Sequence, residues 1–157
     1  MKANGNSTQW GNDRPHKENI ESNISKKIQF ICCYKNENGT EEVAGTFLFM
    51  HEKESSYDDL KDGKWPENTE DYWCIHSVAS GMKVKGIASF IFNWCENQPG
   101  VKCIKIDTHR NNLPMQHLVE KNGYIYCGHC YYYENVETDA GIVQDFERIA
   151  FCKVMKK

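Results

Sequence analysis

The sequence predicts one α/β or α+β domain on a mixed sheet, and three observations predict it. A run of β-formers, "YWCIHSVA" (72–79), passes through a glycine-bearing loop into an amphipathic helix and then into a second strand, "VKCIKID" (101–107). Two strand-like runs nearer the start, 28–35 and 42–52, flank the turn letters "NENGT" and fit a hairpin. The 157 residues carry 39% apolar side chains, which suits one core and a single domain over 1–157.

The elements follow in order. Asn12-Asp13 followed by Pro15 marks a helix start, and Ile20 and Ile24 lie four apart on one face, so a short helix is expected over 15–25. "IQFICCYK" (28–35) and "EVAGTFLFMHE" (42–52) read as antiparallel partners. The polar stretch 53–71 is too long for a bare turn, and loops of that length usually have a task. In "GIASFIFNWCEN" (86–97), Ile87, Phe90, Ile91, Trp94 and Cys95 recur at helical spacing, and "QPG" ends the run. A second helix over 113–121 is marked by Asn111 and Asn112 at its cap and Gly123 past its end, with Met115, Leu118 and Val119 on one face. Strands at 124–133 and 148–154 close the chain, joined by an acidic link at 134–147. The segment 72–107 is then a parallel crossover, expected to be right-handed.

Composition narrows the function. A net charge of −3 and a pI of 6.1 do not suit a protein built to hold nucleic acid or an anionic membrane. No apolar run approaches the ~18 residues needed to span a bilayer. "MKANGNSTQWGNDRP" has no apolar signal core. Eight cysteines without an export signal point to reduced thiols and a cytoplasmic setting.

The quartet C-G-H-C (127–130) has the letters of a thiol-exchange motif. A redox pair of this kind works at a helix N-terminus, which lowers the thiol pKa. Here the quartet sits inside the β-rich run 124–133, with no helix signal after it. A zinc site would want two further ligands at recognisable spacing, and neither Cys32-Cys33 nor Cys95 and Cys103 supply a second C-x-x-C. The quartet is read as incidental, with no metal expected.

The segment "VASGMKVKGIA" (78–88) is the most informative loop. Its end opens the amphipathic helix, and helix N-termini expose unpaired N–H groups and the positive end of the dipole, which bind phosphate. Gly86 lets backbone come close to a ligand, and Lys83 and Lys85 add positive charge. An ordinary strand–helix connection with two solvated lysines fits the same letters.

The loop resembles the acetyl-CoA signature of the GNAT N-acetyltransferase superfamily: Val78 fits, Lys83 stands in for Arg or Gln, and Gly86 and Ala88 fall at the right spacing. "IDTHRNNLPMQHLVEKNGY" (106–124) resembles the family's second signature through Asn112, Met115, Leu118, Glu120, Lys121, Gly123 and Tyr124. "GNSTQWGNDRP", "YDDLKDGKW", "IHSVAS", "IDTHRNN" and "YCG" are similar to a subgroup of small, bacterial-type members. The resemblance implies a mixed, mostly antiparallel sheet with a central parallel crossover and helices on both faces. It also implies a domain shortened at its N-terminus by the family's first strand and helix.

By the same resemblance the co-substrate is acetyl-CoA. Ser77, Val78 and Ala79 would hold the pantetheine arm. Lys83, Val84, Lys85, Gly86, Ile87 and Ala88 would hold the pyrophosphate, and Asn112 and Met115 would lie near the arm and the sulfur. The reaction would be direct attack of a primary amine, on a small or amino-acid-like acceptor, on the thioester. The base candidates are His76 and His109. The family's usual tyrosine acid falls at Val119, which leaves Tyr124, Tyr126 and the run 131–133 as substitutes by proximity. Trp10, Trp65 and Tyr72 could shape an acceptor pocket, the acidic loops hint at a cationic acceptor, and a homodimer is plausible. An inactive module that binds acyl-CoA is the alternative.

Overall fold

A computed structural model describes residue 12 and residues 14–133, 135–144 and 146–156. Helix α1 (Lys17–Ser25) begins two residues later than Pro15, with His16 extended at its N-cap. Strands β1 (Gln29–Lys35) and β2 (Glu41–Met50) form the expected hairpin. Asn36 closes their turn: its Oδ1 accepts the N–H groups of Asn38 and Thr40 at 3.0 and 2.9 Å. Then come β3 (Trp73–Ser80), α2 (Ile87–Glu96), β4 (Cys103–His109), α3 (Leu113–Lys121) and β5 (Ile125–Tyr131).

The acidic link holds a small hairpin of its own, β6 (Val136–Thr138) and β7 (Gly141–Val143), which the sequence reading did not anticipate. Val136 is buried, and Asn12 and Arg14 dock on this region through Glu137, Asp139 and Asn135. Strand β8 (Glu147–Val154) then inserts between β4 and β5, giving the order β1-β2-β3-β4-β8-β5. Only β3 and β4 run parallel, so the sheet is mixed and mostly antiparallel.

Strand alternation sorts the side chains onto two unlike faces. One carries Phe47, Phe49, Ile75, Ile104, Ile106 and Phe151, and α2 and α3 cover it with Ile87, Ile91, Phe92 and Val119. The other carries Met50, Cys74, Cys103, Cys127, Cys130 and Cys152, and the loop between β2 and β3 covers it with Tyr57 and Tyr72. That loop holds a 3-10 turn, Ser55–Tyr57, and Trp65 Nε1 donates to the Tyr57 carbonyl at 2.8 Å.

The loop is stitched to β5. Lys61 and His129 exchange two backbone hydrogen bonds of 2.8 Å. The chains come so close there that a Cβ on Gly128 would stand 2.6 Å from the Lys61 carbonyl oxygen, and Gly128 has φ +132. A Cβ on Gly63 would overlap the Cys127 carbonyl oxygen. Glycine is required at both positions.

Strands β3 and β4 pair through only two positions, Trp73↔Ile104 and Cys74↔Lys105, although both continue well beyond. The cause lies on the other edge of β3. Thr46↔Ala79 and Leu48↔His76 are partners, so β3 spends one residue more than β2, and Ser77 sits there at φ 51. Such a bulge bends its strand and increases its twist, which turns β3 away from β4 and opens a splay between them.

Candidate active site

His76 and Asp107 each stand two residues past the last β3–β4 pair, on the loop-covered face. They face one another across the mouth of the splay, with His76 Nδ1 3.8 Å from Asp107 Oδ2. Two tyrosines fix that carboxylate: the Tyr57 and Tyr132 hydroxyls both donate to Oδ2, at 2.7 and 2.8 Å. Glu54, from the covering loop, places Oε1 3.5 Å from His76 Nε2. The side chains of His76, Glu54 and Asp107 are only 17%, 22% and 8% exposed.

Burial pushes the Glu54 carboxyl above its ordinary value; His76 opposes the shift, and the charges of Asp107 and Glu52 reinforce it. Burial, helped by Asp107, likewise holds the Tyr57 and Tyr132 protons in place. These hydroxyls therefore serve as donors to Asp107 rather than as acids. His76 Nε2 is buried without a hydrogen-bond partner among the described residues. An imidazole between two carboxylates can take a proton from an incoming group, because both neighbours offset the charge it gains.

The loop from β3 to α2 packs on the helix-covered side, where Val84 joins the core. Gly86 caps α2 in the left-handed conformation at φ 81; no side chain caps the helix, and a Cβ at Gly86 would meet nothing within 4 Å. Lys83 is tied down: its Nζ bonds Glu42 Oε2 at 2.7 Å. That bond, with those from Asn36 and Tyr34, pulls the Glu42 carboxyl down to about 2. Lys85 is exposed, Val84 and Ala88 are half-buried, and Ile87 is anchored in the core. On the bulged strand Ser77 and Ala79 are exposed and Val78 packs against the core. Asn112 caps α3, where its carbonyl accepts the Met115 and Gln116 N–H groups at 3.0 and 3.1 Å, and Met115 packs on the same core.

The other candidates lie apart from His76. His109 is fully buried; its Nδ1 accepts the Asn111 N–H at 3.0 Å and its carbonyl accepts from Asn112 and Gln116, so it braces the β4–α3 turn. Tyr124 is on the helix-covered side, packed on Phe92 at 5.6 Å near the Lys153–Glu96 pair, and burial pushes its hydroxyl pKa up. Val119 is wholly buried in that core. Trp65 and Tyr72 sandwich the Lys105 ammonium, at 4.2 and 3.9 Å from their ring centroids. Trp10 lies outside the described residues.

Sequence reasoning missed Glu54 and Tyr57 as individuals. The available signal was the length of the 53–71 loop. Asp107 stands in the sequence only as the last letter of the strand "VKCIKID", and Tyr132 only within its aromatic run.

The C-G-H-C quartet divides between two environments. The bulge in β5 between Tyr126 and Gly128 turns both Cys127 and Cys130 inward. Cys127 lies beside Cys152, whereas Cys130 neighbours Asp107 and Arg148. His129 Nδ1 lies 2.9 Å from Glu147 Oε1, and all eight cysteines are free.

No protein-family model matches this chain, and no curated protein matches it by sequence. Solved structures do match. A GNAT-family acetyltransferase from Streptococcus agalactiae 2603 is 25% identical and superposes with a TM-score of 0.76, covering 99% of this chain and 82% of the other. A GNAT-family acetyltransferase from Bacillus anthracis is 14% identical with a TM-score of 0.54, over 87% and 71% of the two chains. The spermidine/spermine N-acetyltransferase SpeG from Vibrio cholerae is 12% identical with a TM-score of 0.52, over 88% and 72%. With its splayed parallel pair and its inserted last strand, the chain has the fold of the GNAT acetyltransferases.

Proposed function

We propose that this protein is an acetyl-CoA-dependent N-acetyltransferase that acts on the primary amine of a small, cationic or amino-acid-like molecule. The observation that carries the reading is the β3–β4 splay with His76 and Asp107 at its mouth. The uncapped N-terminus of α2, with open space at Gly86, suits the pyrophosphate. The backbone of Ser77–Ala79, unpaired on the side toward β4, suits a pantetheine arm lying in the splay, with Asn112 and Met115 beyond it at the start of α3.

The acceptor then approaches from the loop-covered face, where Glu54 and Asp107 favour a protonated amine. His76 Nε2 takes a proton so that the nitrogen lone pair can attack the thioester carbon. Asp107, held by Tyr57 and Tyr132, keeps the imidazole in place and offsets its charge. The carbon–sulfur bond breaks, and coenzyme A leaves as the thiol after taking up a proton. Eight free cysteines suit a reducing compartment such as the cytoplasm.

Release of free coenzyme A with a panel of small amines tests this reading. His76→Gln should lower kcat about 10²–10⁴-fold with little change in KM for acetyl-CoA. Unchanged turnover in that variant would give the base to another group. A second reading, a module that binds acyl-CoA without turnover, is favoured by Val119 in the core where the resemblance places an acid, and by the Lys83–Glu42 pair. It predicts acetyl-CoA binding with no thiol release for any amine.

A further inference from the structure

Cys103, Cys152 and Cys127 lie on three adjacent strands, β4, β8 and β5, all on the loop-covered face. Cys152 holds the middle position. Its register partners are Lys105 on one side and Ile125 on the other, so Cys103 and Cys127 each stand one diagonal step away. The sulfurs of Cys103 and Cys152 are 3.2 Å apart, closer than ordinary contact between packed heavy atoms. Cys127 lies beside Cys152 on the other flank, with its thiol donating to the Ile125 carbonyl at 3.4 Å.

A cation faces the cluster. Lys105 is 4% exposed, its ammonium lies between the Trp65 and Tyr72 rings, and the thiols of Cys103, Cys152, Cys74 and Cys127 are its charge neighbours. No carboxylate among the described residues forms an ion pair with it. The neighbouring Cys152 thiol and the charge of Lys105 draw the Cys103 and Cys127 thiols below their ordinary value against the opposing effect of burial. None of these groups takes part in the proposed acetyl transfer.

We propose that Cys103, Cys152 and Cys127 form a peroxide-reactive oxidation site in which a Cys103–Cys152 disulfide forms reversibly and Cys127 exchanges into it. The Cys103 thiolate attacks one oxygen of hydrogen peroxide. The O–O bond breaks, hydroxide leaves and takes up a proton as water, and Cys103 becomes a sulfenic acid. The Cys152 sulfur attacks that sulfur, the S–O bond breaks, and a second water leaves. Two thiols are oxidised by two electrons, and one peroxide is reduced to two waters. Cys127 then attacks the Cys152 sulfur and releases Cys103 as a thiol.

Bond formation requires the two sulfurs to approach by about 1 Å. Diagonal partners in an antiparallel sheet lie about 7–8 Å apart, beyond the usual span of a disulfide, so the strands must close in on one another and the bond is strained and easily reduced. Hydrogen peroxide is little larger than water, which suits a site beneath a loop.

The test treats the native full-length chain with equimolar hydrogen peroxide, traps the remaining thiols with N-ethylmaleimide and maps the cysteine peptides by mass spectrometry. The expected result is loss of two thiols, with Cys103–Cys152 or Cys127–Cys152 linked peptides that dithiothreitol reverses. Cys127→Ser should leave only the Cys103–Cys152 link, and Cys103→Ser only the Cys127–Cys152 link; where either variant does not fold, the wild-type map decides. Oxidation confined to the exposed Cys33, a Cys127–Cys130 link, or no linkage among the three would overturn the proposal.

Discussion

The two faces of the central sheet are composed differently and are held together differently. Beneath α2 and α3 the strands present Phe, Ile and Val, and the helices answer with Ile87, Ile91 and Phe92. Beneath the β2–β3 loop they present five buried thiols, a buried lysine and the His76–Asp107 pair, answered by tyrosines, Trp65 and Glu54. The first face is a packing surface, where each buried side chain stabilises the fold by ~1.5–3 kcal/mol. The second carries polar groups whose burial costs free energy unless they are paired. A protein tolerates that cost at a site that needs displaced pKa values.

Substitutions can break this contrast. The largest effect belongs to the helix-covered face. Phe92→Ala removes a fully buried ring and should cost ~3–5 kcal/mol in denaturant unfolding, while the fraction that remains folded keeps its turnover. Lost turnover in the folded fraction would mean that the helix-covered face takes part in the chemistry.

Gly128→Ala comes next. Its Cβ would press on the Lys61 carbonyl at a φ that L side chains rarely adopt, which should cost roughly 2–3 kcal/mol. Because the stitch holds the loop that carries Glu54 and Tyr57, kcat should fall too. Stability lost with kcat intact would separate the loop from the site.

Glu54→Gln has the smallest effect and shows as a pH dependence. Burial raises the Glu54 pKa in the folded state, so the folded chain holds that proton more tightly than the unfolded one. The stabilisation is complete below the ordinary carboxyl pKa and is lost as pH rises through the raised value. As pH rises from the ordinary carboxyl range through the raised value, the variant should gain stability relative to wild type, as read by thermal unfolding. A constant difference across that range would mean that Glu54 is ordinary in the folded state.

The contrast also explains what the sequence made legible. Helix α2 was readable because Ile87, Ile91 and Cys95 keep a helical period, and β3 and β4 because they are dense in β-formers. The loop-covered face has no such period. Glu54 and Tyr57 come from irregular chain, and nothing in "KESSYDDL" shows that Tyr57 will reach Asp107, fifty residues away. The splay was invisible for a different reason: it follows from one extra residue at Ser77, which only the register against β2 reveals. His109 and Tyr124 looked equivalent to His76 as letters, but backbone direction sends one into a turn and the other to the opposite face. The different neighbours of the two thiols in the C-G-H-C quartet were hidden for the same reason, since they follow from a bulge that only the register against β8 reveals.

The central claim is that the splay and the α2 N-terminus together receive acetyl-CoA. The most direct measurement is thermal unfolding of the wild type and Gly86→Glu across an acetyl-CoA titration. Binding predicts a rising Tm in the wild type, equivalent to about 2.7 kcal/mol at a hundredfold excess over Kd, and no ligand-dependent rise in the variant, whose carboxylate occupies the phosphate position. A wild-type Tm that does not move, or an equal rise in both proteins, would contradict it.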